Sequence, residues 1–82
     1  MEAFLYNVGN SLGSLNKPQE ALPYLKEALE IDKKLSKEDT LMRAAIMSEI
    51  GSAFNALGET QEALDYHIQA LNVRKKIFSG DH

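Results

Sequence analysis

The residues that most often do chemistry in proteins are few in this 82-residue chain. There is no cysteine, and His67 and His82 stand apart, whereas a metal site needs three or four converging ligands. The six serines have no histidine and aspartate at a spacing that would activate a hydroxyl as a nucleophile. The five glycines are too scattered to form a phosphate-binding loop. We therefore expect no enzymatic activity, no metal and no cofactor, and we expect His67 to be a packed side chain.

The composition indicates a folded domain with a weakly acidic charge. Hydrophobic residues make up 44% of the chain, charged residues 26%, and the net charge is −3. This charge disfavours binding to a nucleic-acid backbone, which requires a clustered basic surface. No apolar run is long enough to span a membrane, and residues 1–6 lack the basic flank and apolar core of a signal peptide. With the lack of cysteine, these features predict a cytoplasmic protein that binds neither nucleic acid nor membranes.

The chain repeats itself with a period of 42 residues. When residues 9–35 are laid over 51–77, 11 of 27 positions are identical, where roughly two would be expected by chance. The identical pairs include Gly9/Gly51, Ala21/Ala63, Leu22/Leu64, Tyr24/Tyr66, Ala28/Ala70 and Leu29/Leu71. We therefore predict a single domain, residues 1–82, built from two repeats at 2–39 and 42–81.

The apolar residues of each repeat follow the periodicity of an α-helix. The first stripe has spacings of 3, 4 and 3 in both copies, and a second helical stripe follows a short polar turn. The first stripes are Leu5, Val8, Leu12, Leu15 and Met47, Ile50, Phe54, Leu57; the second are Ala21, Leu22, Leu25, Ala28, Leu29 and Ala63, Leu64, His67, Ala70, Leu71. We predict an all-α fold with helices at 2–15, 18–36, 40–57 and 60–78, and we expect the stripe residues to form the core.

Gly9 and Gly51 lie inside predicted helices, where glycine costs about 1 kcal/mol relative to alanine. The same cost at both positions predicts that a neighbouring helix comes close at each of them. Alanines at matching positions of the second helices would supply the flat face that allows this approach.

Two sets of four residues share the spacing small–x2–large–x8–Ala–x6–Ala. They are Gly9, Leu12, Ala21, Ala28 and Gly51, Phe54, Ala63, Ala70. This spacing resembles the signature of the tetratricopeptide repeat family, and residues 57–64 resemble the turn between its two helices. The period of 42, rather than the usual 34, is similar to the longer repeats of kinesin light chains. The resemblance implies two helix-turn-helix hairpins forming a fragment of a right-handed α-solenoid.

The resemblance also implies a binding surface. In this family the first helix of each repeat lines a concave face that holds a peptide. The residues expected on that face are Tyr6, Asn7, Asn10 and Ser14 in the first copy, and Ser48, Glu49, Ser52 and Asn55 in the second. Asparagine offers a donor and an acceptor side by side for a peptide backbone. Chaperone-binding relatives hold a carboxylate with a lysine and an asparagine four residues apart, and Tyr6 with Asn10 lacks that lysine.

The leading prediction is a non-enzymatic scaffold that binds a peptide or partner protein on this face. Neither end of the sequence carries the polar capping helix that closes a repeat array, so we expect a piece of a longer array or a minimal unit. The alternative is a structural repeat that associates with other copies of itself.

Self-association has two predicted routes. Uncovered apolar ends would allow end-to-end stacking; the expected residues are Leu5 and Val8 at one end, and Leu71, Ile77 and Phe78 at the other. In addition, residues 35–40 contain no glycine or proline, although Asp39 or Thr40 can cap a helix. The second and third helices could therefore fuse into one, which would allow two chains to exchange halves.

Overall fold

The computed structural model describes residues 2–78, and within this range it contains four α-helices and no strand. The helices are α1 (Glu2–Ser14), α2 (Pro18–Leu35), α3 (Leu41–Ala56) and α4 (Thr60–Phe78). Each predicted boundary is confirmed to within one residue. Residues 79–82, which include His82 and the predicted end of the second repeat, lie outside the described residues.

The helices form two antiparallel hairpins that pack side by side. Helix α1 packs on α2, α2 on α3, and α3 on α4, whereas α1 and α3 touch only marginally. The resulting body measures 38 × 27 × 17 Å. The predicted all-α fold of two helix-turn-helix units is confirmed.

The turns inside the two hairpins have the same geometry although their residues differ. Asn16 and Gly58, 42 residues apart, have φ angles of 63° and 83°. After Asn16, the N–H of Lys17 donates to the carbonyl of Leu12 at 2.9 Å, and the N–H of Glu59 donates to Phe54 at 2.8 Å. These bonds close each first helix with a Schellman motif, which requires a left-handed residue that glycine or asparagine supplies most easily.

The helices of each hairpin approach closely at a glycine, as predicted, but the nearest side chains opposite are Leu25 and His67 rather than the expected alanines. An ideal Cβ built on Gly9 would lie 2.6 Å from Cγ of Leu25 on α2. A Cβ on Gly51 would lie 2.8 Å from Nε2 of His67 on α4. His67 therefore packs against the backbone of α3 through its ring, while the residue as a whole stays exposed.

Burial is less even than the apolar stripes predict. The buried core is centred on Leu25, Ile46 and Ile50, whose side chains are almost completely covered. Several stripe residues are exposed, contrary to prediction: Leu15, Leu64 and Leu71. Leu15 follows the last turn of α1, and the other two lie on a face of α4 that no described helix covers.

The predicted uncovered ends also need correction. Leu5 is buried as a member of the hydrophobic core, and its neighbour Phe4 is exposed instead. Val8 and Ile77 are half-buried, whereas Leu71 and Phe78 are exposed as expected.

The second and third helices are separate, so the fused helix is not the form adopted here. Helix α2 ends at Leu35, and residues 36–40 form the connection to α3. The hydroxyl of Thr40 accepts a hydrogen bond from the N–H of Arg43 at 2.9 Å. This is an N-cap, and it confirms one of the two capping residues that were predicted.

The guanidinium of Arg43 holds this connection in place. Its Nε donates to Oδ2 of Asp32 on α2 at 2.8 Å, and Nη2 donates to the carbonyl of Ser36 at 2.9 Å. Nη1 donates to Oδ1 of Asp39 at 3.2 Å. Both Arg43 and Asp32 are buried, so this cluster joins the two hairpins through a desolvated ion pair.

Candidate functional site

A groove lies between α1 and α3 and ends at the start of α2. It encloses about 320 Å³, and its floor is built largely from residues with small side chains. These are Gly9, Gly13, Ala21, Ala53 and Ala56. Glycine and alanine recur along the facing sides of the helices, and they leave room for an incoming chain. We call this depression the α1/α3 groove.

Four of the eight residues predicted for the binding face line this groove. Asn10 and Ser14 are one turn apart on α1, and Glu49 and Ser52 are one turn apart on α3. The side chains thus present amide, hydroxyl and carboxylate groups from two opposite walls.

The other four predicted residues do not line the α1/α3 groove. Asn7 and Asn55 are exposed, and Tyr6 and Ser48 are half-buried. A fifth polar residue of the lining, Asn16, was not among the predicted set. Its position in the turn after α1 could have indicated this from the sequence, because the turn closes one end of the groove.

Glu49 is the charged group of the groove. It is half-buried, and among residues 2–78 it has neither a hydrogen bond nor an ion pair. Burial, followed by the nearby charge of Glu49, raises the pKa of Tyr6 above its usual value of 10.0, while Arg74 opposes the shift. No lysine or arginine of the described chain lines the groove. The lining of the groove therefore carries one carboxylate and no basic side chain.

A second group of carboxylates lies at the joint between the hairpins. Oε2 of Glu2 is buried and lacks a hydrogen-bond partner. When Glu2 is protonated, its carboxyl can hydrogen-bond to the Asp32 carboxyl; this bond, then burial and the repulsion between the two charges, raises the pKa of Glu2, while Arg43 opposes the rise. Glu2 thus places a carboxyl group of α1 beside the Arg43 cluster, which sets α3 against α2.

Two further features of the described residues bear on function. Within residues 2–78, no three histidine, aspartate or glutamate side chains converge in a way that could hold a metal ion. None of the four described helices is long and apolar enough to cross a membrane.

Comparison with known proteins gives one match. A family model described as tetratricopeptide repeat matches residues 1–76. No curated protein matches the chain significantly, and neither does any solved structure. The match spans nearly the whole chain and covers both walls and the floor of the α1/α3 groove.

Proposed function

The chain belongs to the tetratricopeptide repeat family, and from this we propose that it binds a peptide segment of a partner protein in the α1/α3 groove. The family generally acts through protein–protein interaction and without catalysis. The observation that carries the proposal is the groove itself, which combines a floor of small residues with polar side chains on both walls.

The groove suits a short stretch of extended chain. Its small floor residues, such as Gly13 and Ala53, let a peptide backbone come near the helices. Asn10, Ser14 and Ser52 can then donate to or accept from that backbone. A volume of about 320 Å³ is at the low end for a binding site. Binding by this chain alone is accordingly expected to be weak, since association must first offset lost translational freedom.

Glu49 indicates the chemistry of the preferred segment. Its carboxylate is half-buried and unpaired within the described residues, so the site gains from a positive charge brought against it. We therefore propose that the bound segment contains a lysine or arginine. An acidic segment would be disfavoured, because it would place like charges together in a partly desolvated groove.

Selection from a displayed library of random octapeptides tests this function. The wild-type chain is the bait, and the Gly13→Leu variant is the counter-bait. A Cβ at Gly13 meets no atom within 4 Å, so a larger side chain there fills the groove while the helix stays intact. We expect octapeptides that bind the wild-type chain and not Gly13→Leu. Selected peptides that bind both equally would contradict the groove assignment.

Two substitutions refine the test by fluorescence anisotropy with the selected octapeptide. Glu49→Gln should weaken binding about tenfold, as expected for loss of one charge-assisted hydrogen bond. Asn55→Ala is the matched control, because Asn55 is exposed on the same helix and lies outside the groove. If Glu49→Gln has no effect while Gly13→Leu abolishes binding, the result supports the groove as the binding site and contradicts the preference for a basic residue.

Three further points remain proposals from the sequence. We assign the repeats to residues 2–39 and 42–81, which places α1 and α2 in the first and α3 and α4 in the second. We also retain a cytoplasmic location and the similarity to the longer kinesin-light-chain type of repeat.

A second candidate function is self-association, favoured by the exposed apolar residues of α4. Leu64, Ile68 and Leu71 are each about half exposed, and they follow one another at spacings of four and three. The swapped route is disfavoured, because a continuous α2–α3 helix would break the hydrogen bond from Arg43 to the carbonyl of Ser36, seven residues earlier in the chain. Sedimentation velocity from micromolar to millimolar concentration measures association, and a monomer throughout would reject this candidate.

A further inference from the structure

The packing of α3 on α2 shows how a helix covers this type of surface. The Nζ of Lys26 lies 5.3 Å from the centre of the Phe54 ring, and Asp32 bonds to Arg43 on α3. These contacts identify the face of α2 that meets α3. Leu22 and Leu29 lie on the same face, at helical spacing from Lys26. Leu29 is accordingly only 6% exposed.

Helix α4 has the corresponding face, and no other described helix packs on it. Residues 42 positions later are Leu64, Ile68 and Leu71, which we call the α4 stripe. Leu71 is 51% exposed, compared with 6% for its counterpart Leu29. Isoleucine at the position of Lys26 makes the α4 stripe more apolar than the surface that α3 covers. One helix packed in the manner of α3 would therefore bury it.

The surface that fits the α4 stripe is present on α1. On α3, Arg43 and Phe54 contact α2, and positions 46, 50 and 53 lie beside them at helical spacing, on the side away from Gly51, which faces α4. Their counterparts on α1 are Phe4, Val8 and Ser11, which we call the α1 outer face. Ile46 is 0% exposed and Phe4 is 67% exposed. This difference in exposure shows how much of Phe4 a helix packed on α1 in the same way would cover.

We propose that a second copy of this chain docks head to tail, with its α1 outer face on the α4 stripe, in the register in which α3 packs on α2. This inference rests on the self-association proposed above and names its interface. A second copy of the chain fits as the partner, because the contact between α2 and α3 already pairs these two kinds of surface. A head-to-tail contact does not close on itself, so the oligomers lengthen as the concentration rises.

The contact between copies is weaker than the internal joint. Arg74 occupies on α4 the position that Asp32 occupies on α2, so the buried ion pair with Arg43 has no counterpart there. The docked surfaces are mainly apolar, and their association should therefore depend little on salt.

Sedimentation velocity of surface variants tests the interface. Phe4→Lys removes the α1 outer face, and Leu71→Lys removes the α4 stripe; both residues are exposed, so the fold should tolerate either change. Leu35→Lys is the matched control, since Leu35 is equally exposed but lies on α2. We expect the wild-type chain and Leu35→Lys to associate with rising concentration, and each face variant to remain a monomer.

Mixing the two face variants gives the decisive result. Each retains the surface that the other has lost, so an equimolar mixture should form dimers and nothing larger. A mixture that stays monomeric, or a Phe4→Lys variant that associates alone, would overturn the head-to-tail interface while leaving self-association intact. A monomeric wild-type chain would overturn both. Peptide binding is tested independently, because neither substituted residue lines the α1/α3 groove.

Discussion

At the scale of single residues, Gly9 and Gly13 lie one turn apart on α1 in different surroundings. A Cβ on Gly9 would meet the buried side chain of Leu25 at 2.6 Å, whereas a Cβ on Gly13 meets nothing within 4 Å. The first glycine is required by packing with α2. The second leaves the floor of the α1/α3 groove open.

Replacing these glycines by alanine should change stability in opposite directions. Gly9→Ala overpacks the core at a cost of about 1–3 kcal/mol, against a helix-propensity gain of about 1 kcal/mol. We expect it to destabilise the chain by about 1 kcal/mol, and Gly13→Ala to stabilise it by about 0.5 kcal/mol. Urea unfolding measures both, and each variant is the control for the other. Equal effects would contradict the close approach at Gly9.

Glu2 gives the fold a dependence on pH. Its pKa is raised above the ordinary 4.5, so the folded state binds the proton more tightly than the unfolded chain does. Its contribution to stability is therefore present at low pH and is lost as the pH rises through the folded-state pKa. At neutral pH, charged Glu2 and Asp32 repel each other near Arg43.

We accordingly expect Glu2→Gln to raise the thermal midpoint at pH 7 and to leave it almost unchanged at pH 4. Circular dichroism melts at both pH values measure this difference. Glu30→Gln is the control, because Glu30 is an exposed glutamate on α2. A shift of the same size at both pH values would show that the Glu2 carboxyl does not titrate against Asp32.

At the scale of the helices, Arg43 joins the two hairpins. It is buried, and its guanidinium donates to Asp32 at 2.8 Å and to the carbonyl of Ser36 at 2.9 Å. The same cluster separates α2 from α3, because these contacts require the chain to turn between Leu35 and Leu41. A straight helix through this region would place Arg43 beyond the reach of Ser36.

Arg43→Met should destabilise the chain by about 3 kcal/mol, because it leaves the Asp32 carboxylate buried without its partner. Urea unfolding followed by circular dichroism measures the loss. Arg74→Met is the matched control, since Arg74 is exposed on α4 and its replacement should change stability by less than about 0.5 kcal/mol. A loss below 1 kcal/mol for Arg43→Met would mean that apolar packing alone holds the hairpins together.

The helices could be predicted from the sequence, and the joint could not. The stripe around Leu12 and its repeat around Phe54 determine the helices, and the turn after each stripe determines where α1 and α3 end. Comparing the two repeats gives no sign of the ion pair between the hairpins, because Arg74 occupies in the second repeat the position that Asp32 occupies in the first. The pair of Arg43 and Asp32 occurs only once, so the repeat pattern does not reveal it. The distance between the two residues depends on how the hairpins pack against each other.

The lining of the α1/α3 groove was predictable in part for the same reason. Counting along one helix from the repeat motif selects Asn10 and Ser52, which line the groove. It also selects Asn7 and Asn55, which are exposed beyond the groove, and it omits Asn16. The groove is formed between α1 and α3, so its limits depend on the distance between helices rather than on either helix alone.

In the molecule as a whole, the two functions that we propose belong to separate surfaces. The α1/α3 groove has a carboxylate and hydrogen-bonding groups, which suit a peptide with a basic residue. The α4 stripe and the α1 outer face are mainly apolar, which suits another copy of the chain. Because the surfaces are separate, each can be removed without the other.

We propose the α1/α3 groove as the binding site, and a two-dimensional ¹⁵N–¹H NMR titration of the chain with the selected octapeptide tests this directly. We expect amide shifts to concentrate in two stretches, 9–16 and 49–56, and the Gly13→Leu variant to show none of them. Shifts confined to the exposed face of α4, or identical shifts in Gly13→Leu, would contradict it.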